Sequence, residues 1–124
     1  MKAFWIDRET NTAKFVDTDA SLDALYDMCH CRCIDIATVK VCGIWMDFVV
    51  DDEGLLVDGP KASVFDQSGQ PMLVGSVVVL SSDEDGDFAG LDDEQAEAIA
   101  LRTTSVIIVN RDIDIEERVV MFAD

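Results

Sequence analysis

Positive charge is what this sequence has least of. Its 124 residues include nine lysines and arginines against 26 aspartates and glutamates, which gives a formal net charge of −17 at pH 7. Nucleic acids and anionic membranes carry the same sign of charge, so a surface of this kind repels them. We therefore predict that the chain binds neither of them directly, and that any macromolecular partner is a basic protein.

Long apolar runs are also absent. No stretch approaches the ~18 uncharged residues that a membrane-spanning helix needs. The apolar start of the chain, Met1 to Ile6, is cut short by Asp7 and Arg8, so it is too brief for a signal peptide. We expect a cytoplasmic location, where cysteines are normally reduced. The four cysteines expected to be reduced are Cys29, Cys31, Cys33 and Cys42.

The single histidine, His30, lies in the run Cys29-His30-Cys31-Arg32-Cys33. Structural zinc sites need four ligands and usually place two or more residues between paired cysteines, whereas here one residue separates them. Side chains at consecutive positions also point in different directions. We therefore predict buried reduced thiols without zinc.

Motifs that identify catalytic sites are missing as well. The sequence has no phosphate-binding glycine loop, no dinucleotide fingerprint and no nucleophile elbow. His30 is the only histidine, and the cysteines next to it in sequence cannot easily turn into hydrogen-bond contact with it. Cys42 could reach His30 through the fold, but no third, orienting residue can be named. We accordingly predict no catalytic residue and no cofactor.

Apolar residues make up 49% of the chain, enough for a real core, and we expect one domain over residues 1–124. Short β-branched runs separated by turn-forming residues predict six to eight strands. The strongest is Leu73 to Leu80, an almost continuous apolar run that is typical of burial on both faces. Met46 to Val50 predicts a strand that returns, after a turn at Asp51 to Gly54, along Leu55 to Val57. Val106 to Val109 is expected in the sheet interior, with Ile108 buried.

Two helices are predicted, starting near Ala20 and Asp93. Residues of N-cap type precede both, and Asp92 with Gln95 forms a capping-box pattern. The fold class is therefore α+β, with a mixed or largely antiparallel sheet and both helices packed on one face. The side chains expected to pack on the sheet are Leu22, Leu25, Ala96 and Ile99.

Acidic residues alternate along two segments. In an extended strand, residues two apart lie on one face about 6.6 Å from each other, so each segment would make a short charged row. Such rows resemble the phosphate spacing of DNA when several combine on one surface. The residues predicted to bind a partner are Asp83, Asp85, Asp87, Asp112, Asp114 and Glu116.

The first of these segments also matches part of a calcium-binding loop. Asp83, Asp85, Asp87 and Glu94 occupy positions 1, 3, 5 and 12 of the twelve-residue template. Position 6, where the template needs glycine, is Phe88. A dedicated metal site is therefore not predicted, although binding of a divalent cation or small ligand through residues 81–94 remains the alternative function.

Several glycine-centred motifs follow one another in a recognisable order. They are Phe48 to Leu55 (FVVDDEGL), Gly75 to Val79 (GSVVV) and Gly86 to Leu91 (GDFAGL), the last followed by an acidic helix start. Over residues 20–102 the chain resembles a family of small acidic proteins of unknown function from phages, plasmids and Gram-positive bacteria. The resemblance implies a mobile-element context and assigns no residue a role.

Together these observations predict a non-enzymatic acidic protein that binds a basic protein surface, as an inhibitor or a mimic of DNA. The competing explanation is that the acidity is general, from adaptation to high salt or from a GC-rich genome, and serves solubility alone. A partner bound by the carboxylates would be lost as salt rises, whereas general acidity makes no such prediction.

Overall fold

The computed structural model describes residues 1–54, 60–109 and 115–124. These residues form ten strands and two helices, and the α+β class is confirmed. The elements are β1 (Lys2–Asp7), β2 (Thr12–Asp17), α1 (Leu22–Cys29), β3 (Ile34–Val41), β4 (Ile44–Asp51), β5 (Ala62–Phe65), β6 (Pro71–Val74), β7 (Val77–Ser82), β8 (Phe88–Ala89), α2 (Asp93–Arg102), β9 (Thr103–Val109) and β10 (Ile115–Phe122).

The strands form two sheets where the sequence predicted one. The larger has the order β2-β1-β7-β4-β3, with β8 added beside β7, and all its pairings are antiparallel. The smaller has the order β6-β5-β10-β9 and contains one parallel pairing, between β5 and β10. The predicted mixed or largely antiparallel pairing is therefore confirmed.

Strand β7 is the centre of the larger sheet. Val77 to Leu80 are completely buried, as expected of a strand covered on both sides. Alternate side chains of a strand point to opposite faces. The first and third of these residues therefore join the core that contains Ile6 and Phe48, while the second and fourth join Leu25 of α1.

The two helices cover opposite faces of this sheet, which differs from the predicted single helical face. α1 packs on one face through Leu25 and Cys29, and α2 belongs to the core on the other face through Ala98 and Ile99. A central strand that is apolar on both sides explains this arrangement, because each face needs its own cover. The smaller sheet contributes residues to the same core as α2.

The predicted helix starts are confirmed. Ser21 caps α1, and Asp92 and Gln95 form a reciprocal capping box at the start of α2. Leu25 and Ile99 pack as expected, whereas Leu22 is 58% exposed. Leu22 is the first residue of α1, and the buried residues of that helix are Leu25 and Cys29, in its middle and last turn.

The run Leu73 to Leu80 is divided between the two sheets. β6 ends at Val74, and Gly75 follows with a φ of 79°, a conformation that glycine adopts without strain. The chain then passes through Ser76 into β7 of the larger sheet. Hydrophobicity does not reveal this break, because apolar residues lie on both sides of it.

Two further predictions differ from the structure. Among the described strands, β9 lies at an edge of the smaller sheet, not in its interior, and Ile107 is 70% exposed. The side chain of Ile108 lies outside the described residues, as does the expected return strand Leu55 to Val57. The β-branched residues from Cys33 to Trp45 predict one strand that continues into Met46 to Val50. In the structure this stretch is divided into β3 and β4, which form a hairpin through a two-residue turn at Cys42 and Gly43, both with positive φ.

Candidate functional site

The last residue of β1, Asp7, holds a buried carboxylate at the junction of several elements. Its Oδ2 accepts a hydrogen bond from the hydroxyl of Thr10 at 2.9 Å, and its Oδ1 accepts one from the backbone N–H of Glu9 at 3.0 Å. Oδ1 also lies 2.9 Å from Nε2 of His30 and 3.5 Å from the hydroxyl of Ser76. Residues far apart in the sequence therefore converge on one carboxylate.

These contacts decide the charge of Asp7. Burial raises the pKa of its carboxyl, but the hydrogen bonds from His30, Thr10 and the Glu9 backbone outweigh burial and lower the pKa below its ordinary value of 3.8. The side chain is therefore ionised at neutral pH. A buried anion of this kind holds its hydrogen-bond donors in fixed positions.

His30 follows the last turn of α1 and adopts the left-handed conformation, with φ 53° and ψ 45°. This backbone geometry is unusual for a residue with a Cβ and ends the helix in the way that glycine often does. It turns the imidazole away from the helix toward β1. There Nε2 contacts Asp7, and Nδ1 lies 3.6 Å from a carboxylate oxygen of Glu9.

Arg8, the neighbour of Asp7, is also buried, with 8% of its surface exposed. Its backbone N–H donates to the hydroxyl of Ser76 at 2.9 Å, and Nη2 of its guanidinium donates to the carbonyl of Val119 in β10. Within the part of the chain that the structure describes, Nε and Nη1 have no hydrogen-bond partner. Burial and the nearby charge of Arg118 lower the pKa of Arg8 to about 10, so the guanidinium stays charged at neutral pH.

A cavity of about 220 Å³ opens beside these groups, between the end of β1, the end of α1 and the Gly75–Ser76 junction. Both signs of charge line it. The residues that line the cavity and have polar side chains are Arg8, Glu9, His30, Asp51, Lys61 and Ser76.

Cys29 lies at the edge of this cavity but is a poor nucleophile. Its Sγ is 3.6 Å from the carbonyl oxygen of Val49, and burial, followed by the nearby Cys31 and Asp51, raises the pKa of the thiol to about 12. Burial also raises the pKa of Cys31. Since the thiolate is the reactive form, Cys29 stays protonated and unreactive at neutral pH.

Cys33 and Cys42, in contrast, are exposed, so the prediction of buried thiols is wrong for these two cysteines. Cys42 lies in the β3–β4 turn, where its backbone N–H donates to a carboxylate oxygen of Asp124. Across residues 1–54, 60–109 and 115–124, no group of three or more histidine, cysteine, aspartate or glutamate side chains is placed to hold a metal ion. This includes the acidic segment 81–94 that resembled a calcium loop.

The predicted partner-binding residues are distributed unequally. Asp83, Asp85 and Asp87 lie in a tight turn between β7 and β8, where Oδ1 of Asp83 accepts the backbone N–H groups of the other two at 2.9 and 3.0 Å. They therefore do not form an extended row. Asp112 and Asp114 lie outside the described residues.

Glu116 is the remaining member of that set. It contacts the amine of Lys61 at 3.1 Å and the guanidinium of Arg118 at 3.2 Å, and these two hydrogen bonds lower its pKa. Its charge is therefore already balanced within the chain.

Sequence reasoning missed the cluster of Asp7, Arg8, His30 and Ser76. Asp7 and Arg8 attracted notice only because they shorten an apolar run, and His30 only as a neighbour of cysteines. No local spacing connects positions 7, 30 and 76, so the cluster becomes visible when the strands are paired.

Within the described ranges, neither helix has the length and apolar character that crossing a bilayer demands. No curated protein and no solved structure matches the chain. A family model does: the one described as Domain of unknown function (DUF3846) matches residues 1–104, which run from β1 to the start of β9. The chain therefore belongs to the DUF3846 family of domains of unknown function.

Proposed function

We propose that this protein is a non-enzymatic acidic interaction protein that binds a basic protein surface. The observation that carries the proposal is an exposed acidic region over residues 83–97. It contains eight exposed carboxylate residues, and no lysine or arginine occurs between Lys61 and Arg102. The eight are Asp83, Glu84, Asp85, Asp87, Asp92, Asp93, Glu94 and Glu97.

The two halves of this acidic region are joined in space. Nε2 of Gln95, in the first turn of α2, donates to the hydroxyl of Ser81 in β7 at 2.8 Å. The start of α2 is thereby fixed beside the strand that leads into the Asp83 turn. One partner surface is therefore able to contact both halves.

The basic residues of the chain do little to offset this region. Those with described contacts are used elsewhere. Ion pairs engage Lys61, Arg102 and Arg118, and aromatic rings lie under Lys2, Lys14 and Lys40. Arg8 is buried and donates to a carbonyl of β10.

The partner that this region suits is a protein with clustered lysine or arginine, in the cytoplasm of a bacterial host or of a cell that carries a mobile element. The resemblance to small acidic proteins of phages and plasmids supports that setting. Inhibition of a nucleic-acid-binding protein by occupying its basic surface is the specific activity that we propose. Direct binding to nucleic acid is not expected, because the charges repel.

A capture experiment with matched variants tests the proposal. The first variant combines Glu84→Gln, Asp85→Asn and Glu97→Gln, which removes three charges from the acidic region. The control removes three exposed charges elsewhere through Asp27→Asn, Asp52→Asn and Glu117→Gln, residues that the structure places outside that region.

Both variants should fold as the wild type does, because these side chains are exposed. We expect a basic protein captured from host lysate by the wild type and by the control variant, with at least roughly tenfold weaker binding to the first variant. Equal loss in both variants, or capture of no basic protein, would contradict the proposal.

A further inference from the structure

Strand β9 leaves one side of its backbone open at the edge of the smaller sheet. β10 pairs with the other side, and among residues 1–54, 60–109 and 115–124 no second strand and no loop backbone group bonds to β9. The side chains of Thr104, Ser105 and Ile107 are exposed. A strand edge with free N–H and C=O groups is a template for pairing with a strand of another chain.

The other edge strands of the two sheets carry features that normally prevent such pairing. β2 and β3 each contain one lysine and one aspartate, and β6 is four residues long and begins with Pro71. The carbonyl of Lys40 in β3 also accepts the backbone N–H of Asp124 at 2.9 Å. Charges, proline and short length all protect an edge from association.

β9 has none of these protections. It extends over seven residues, Thr103–Val109, and its sequence TTSVIIV contains no charged residue and no proline. In a chain with 28% charged residues, an uncharged edge strand of this length is exceptional among the described edges. The edge is therefore suited to pairing with another strand.

The charge of the chain indicates which partner fits this edge. Two copies that each carry a net charge of −17 repel each other wherever their acidic surfaces meet. At β9 two copies approach each other through uncharged residues, so the repulsion is smallest there. A basic protein, in contrast, gains no attraction from an uncharged strand.

The exposed side chain of Ile107 also fits a symmetric contact. In a two-fold dimer the same surface serves both copies, and an antiparallel pair of identical strands has this symmetry. With the axis at Ile107, its side chain lies directly opposite the same side chain of the second copy. Ile107 is 70% exposed in the single chain, and cross-strand pairs of apolar β-branched residues stabilise a sheet.

We propose that the chain forms a two-fold dimer in which the β9 strands of two copies pair antiparallel and join the two four-stranded sheets into one. α2 ends at Arg102 and β9 begins at the next residue, so each copy contributes its own acidic region of residues 83–97 to the dimer. The dimer does not depend on a basic partner. The two proposals therefore succeed or fail independently.

Sedimentation equilibrium of the full chain, from micromolar to millimolar concentration, tests the dimer. We expect a reversible equilibrium between monomer and dimer. Because salt screens the repulsion between two acidic copies, the dimer should be severalfold tighter at about 500 mM salt than at about 50 mM. Salt has the opposite effect on binding of a basic protein, which distinguishes the two interactions.

A matched pair of variants connects the dimer to β9. Ile107→Lys places a cation on the open edge and should weaken the dimer by roughly tenfold or more, because two like charges then meet at the axis. Ile36→Lys is the control: Ile36 is also exposed, lies on the edge strand β3, and gives the same change in net charge. It should leave the dimer unchanged. If Ile107→Lys does not fold, Ser105→Lys replaces it, since Ser105 is an exposed residue of the same strand.

Hydrogen–deuterium exchange shows whether the strand itself forms the contact. Amides of β9 should exchange more slowly as the wild-type concentration rises, because pairing protects the N–H groups that face away from β10. Amides of the edge strands β2 and β3 should not change. The Ile107→Lys variant should lose the concentration dependence.

A chain that stays monomeric up to millimolar concentration would overturn the proposal. So would a dimer that Ile107→Lys leaves intact, one that Ile36→Lys weakens equally, or one that weakens as salt rises. Protection of β9 that appears only when a captured basic protein is added would assign the edge to that protein, and would also overturn pairing between copies.

Discussion

Asp7 and His30 are 23 positions apart in the sequence, and Oδ1 of the first lies 2.9 Å from Nε2 of the second. The contact joins the end of β1 to the end of α1. It also holds His30 in a left-handed backbone conformation that an isolated helix end would rarely give to histidine. One side of the cavity is fixed by this pair.

Removing the charge of Asp7 should destabilise the fold. We expect Asp7→Asn to lower the free energy of unfolding by about 1–3 kcal/mol at pH 7, because the donors around a buried carboxylate lose an ionised acceptor. The pKa of Asp7 is lowered in the folded state, so its contribution is present above its ordinary value of 3.8 and is lost as pH falls through the folded value. Urea unfolding at several pH values should show the difference between variant and wild type narrowing below about pH 4.

The exposed residue Asp27 provides a control. Asp27→Asn should change stability little at any pH, because surface substitutions usually have small effects. A difference for Asp7→Asn that stays constant down to pH 2, or that widens in acid, would contradict the assigned role.

The two leucines of α1 allow a matched test of the helix packing. Leu25 is completely buried against the larger sheet, whereas Leu22 is mostly exposed. Leu25→Ala should cost about 2–5 kcal/mol, and Leu22→Ala should cost well under 1 kcal/mol. Denaturant unfolding of both variants measures this, and similar costs would mean that the helix faces are wrongly assigned.

The cysteines should differ sharply in reactivity. At pH 8 iodoacetamide should label the exposed Cys33 and Cys42 within minutes, while Cys29 should react only after unfolding, because burial raises the pKa of its thiol to about 12. Mass spectrometry of tryptic peptides locates the labels.

We also predict four free thiols and no stoichiometric zinc in the purified chain. One zinc ion per chain that is retained in the presence of a chelator would contradict this prediction.

Substitutions at Asp83 test whether its turn needs a hydrogen-bond acceptor or a negative charge at this position. Oδ1 of Asp83 accepts two backbone N–H groups, so Asp83→Ala should lower stability by about 1–2 kcal/mol. Asp83→Asn keeps an oxygen acceptor and should lose less. Glu84→Gln, in the same turn, is the control and should have little effect on thermal unfolding. Equal losses for alanine and asparagine at position 83 would mean that the carboxylate charge, not the acceptor, stabilises the turn.

Features set by neighbouring residues could be predicted from the sequence. The capping box of Asp92 and Gln95 depends on local chemistry and is confirmed. The two-sided burial predicted for Leu73 to Leu80 is found over Val77 to Leu80 only. The side of the larger sheet on which each helix packs could not be predicted, because a central strand that is apolar on both sides is compatible with either arrangement.

The candidate site depends on contacts between distant segments. Asp7 contacts His30 and Ser76, which are 23 and 69 positions away. The position of Ser76 follows from the break at Gly75, which the apolar run concealed. Nothing in the spacing of these residues indicates that they meet, so a single sequence leaves the site unpredicted.

The central claim is that residues 83–97 bind a basic protein through their charge. The most direct measurement is the affinity for the captured partner between about 50 mM and 500 mM salt, for the wild type and for the variant Glu84→Gln, Asp85→Asn, Glu97→Gln. We predict that wild-type affinity falls steeply as salt rises, and that the variant binds more weakly with a shallower dependence on salt. Affinity that does not change with salt, or an equal salt dependence for both proteins, would contradict the claim.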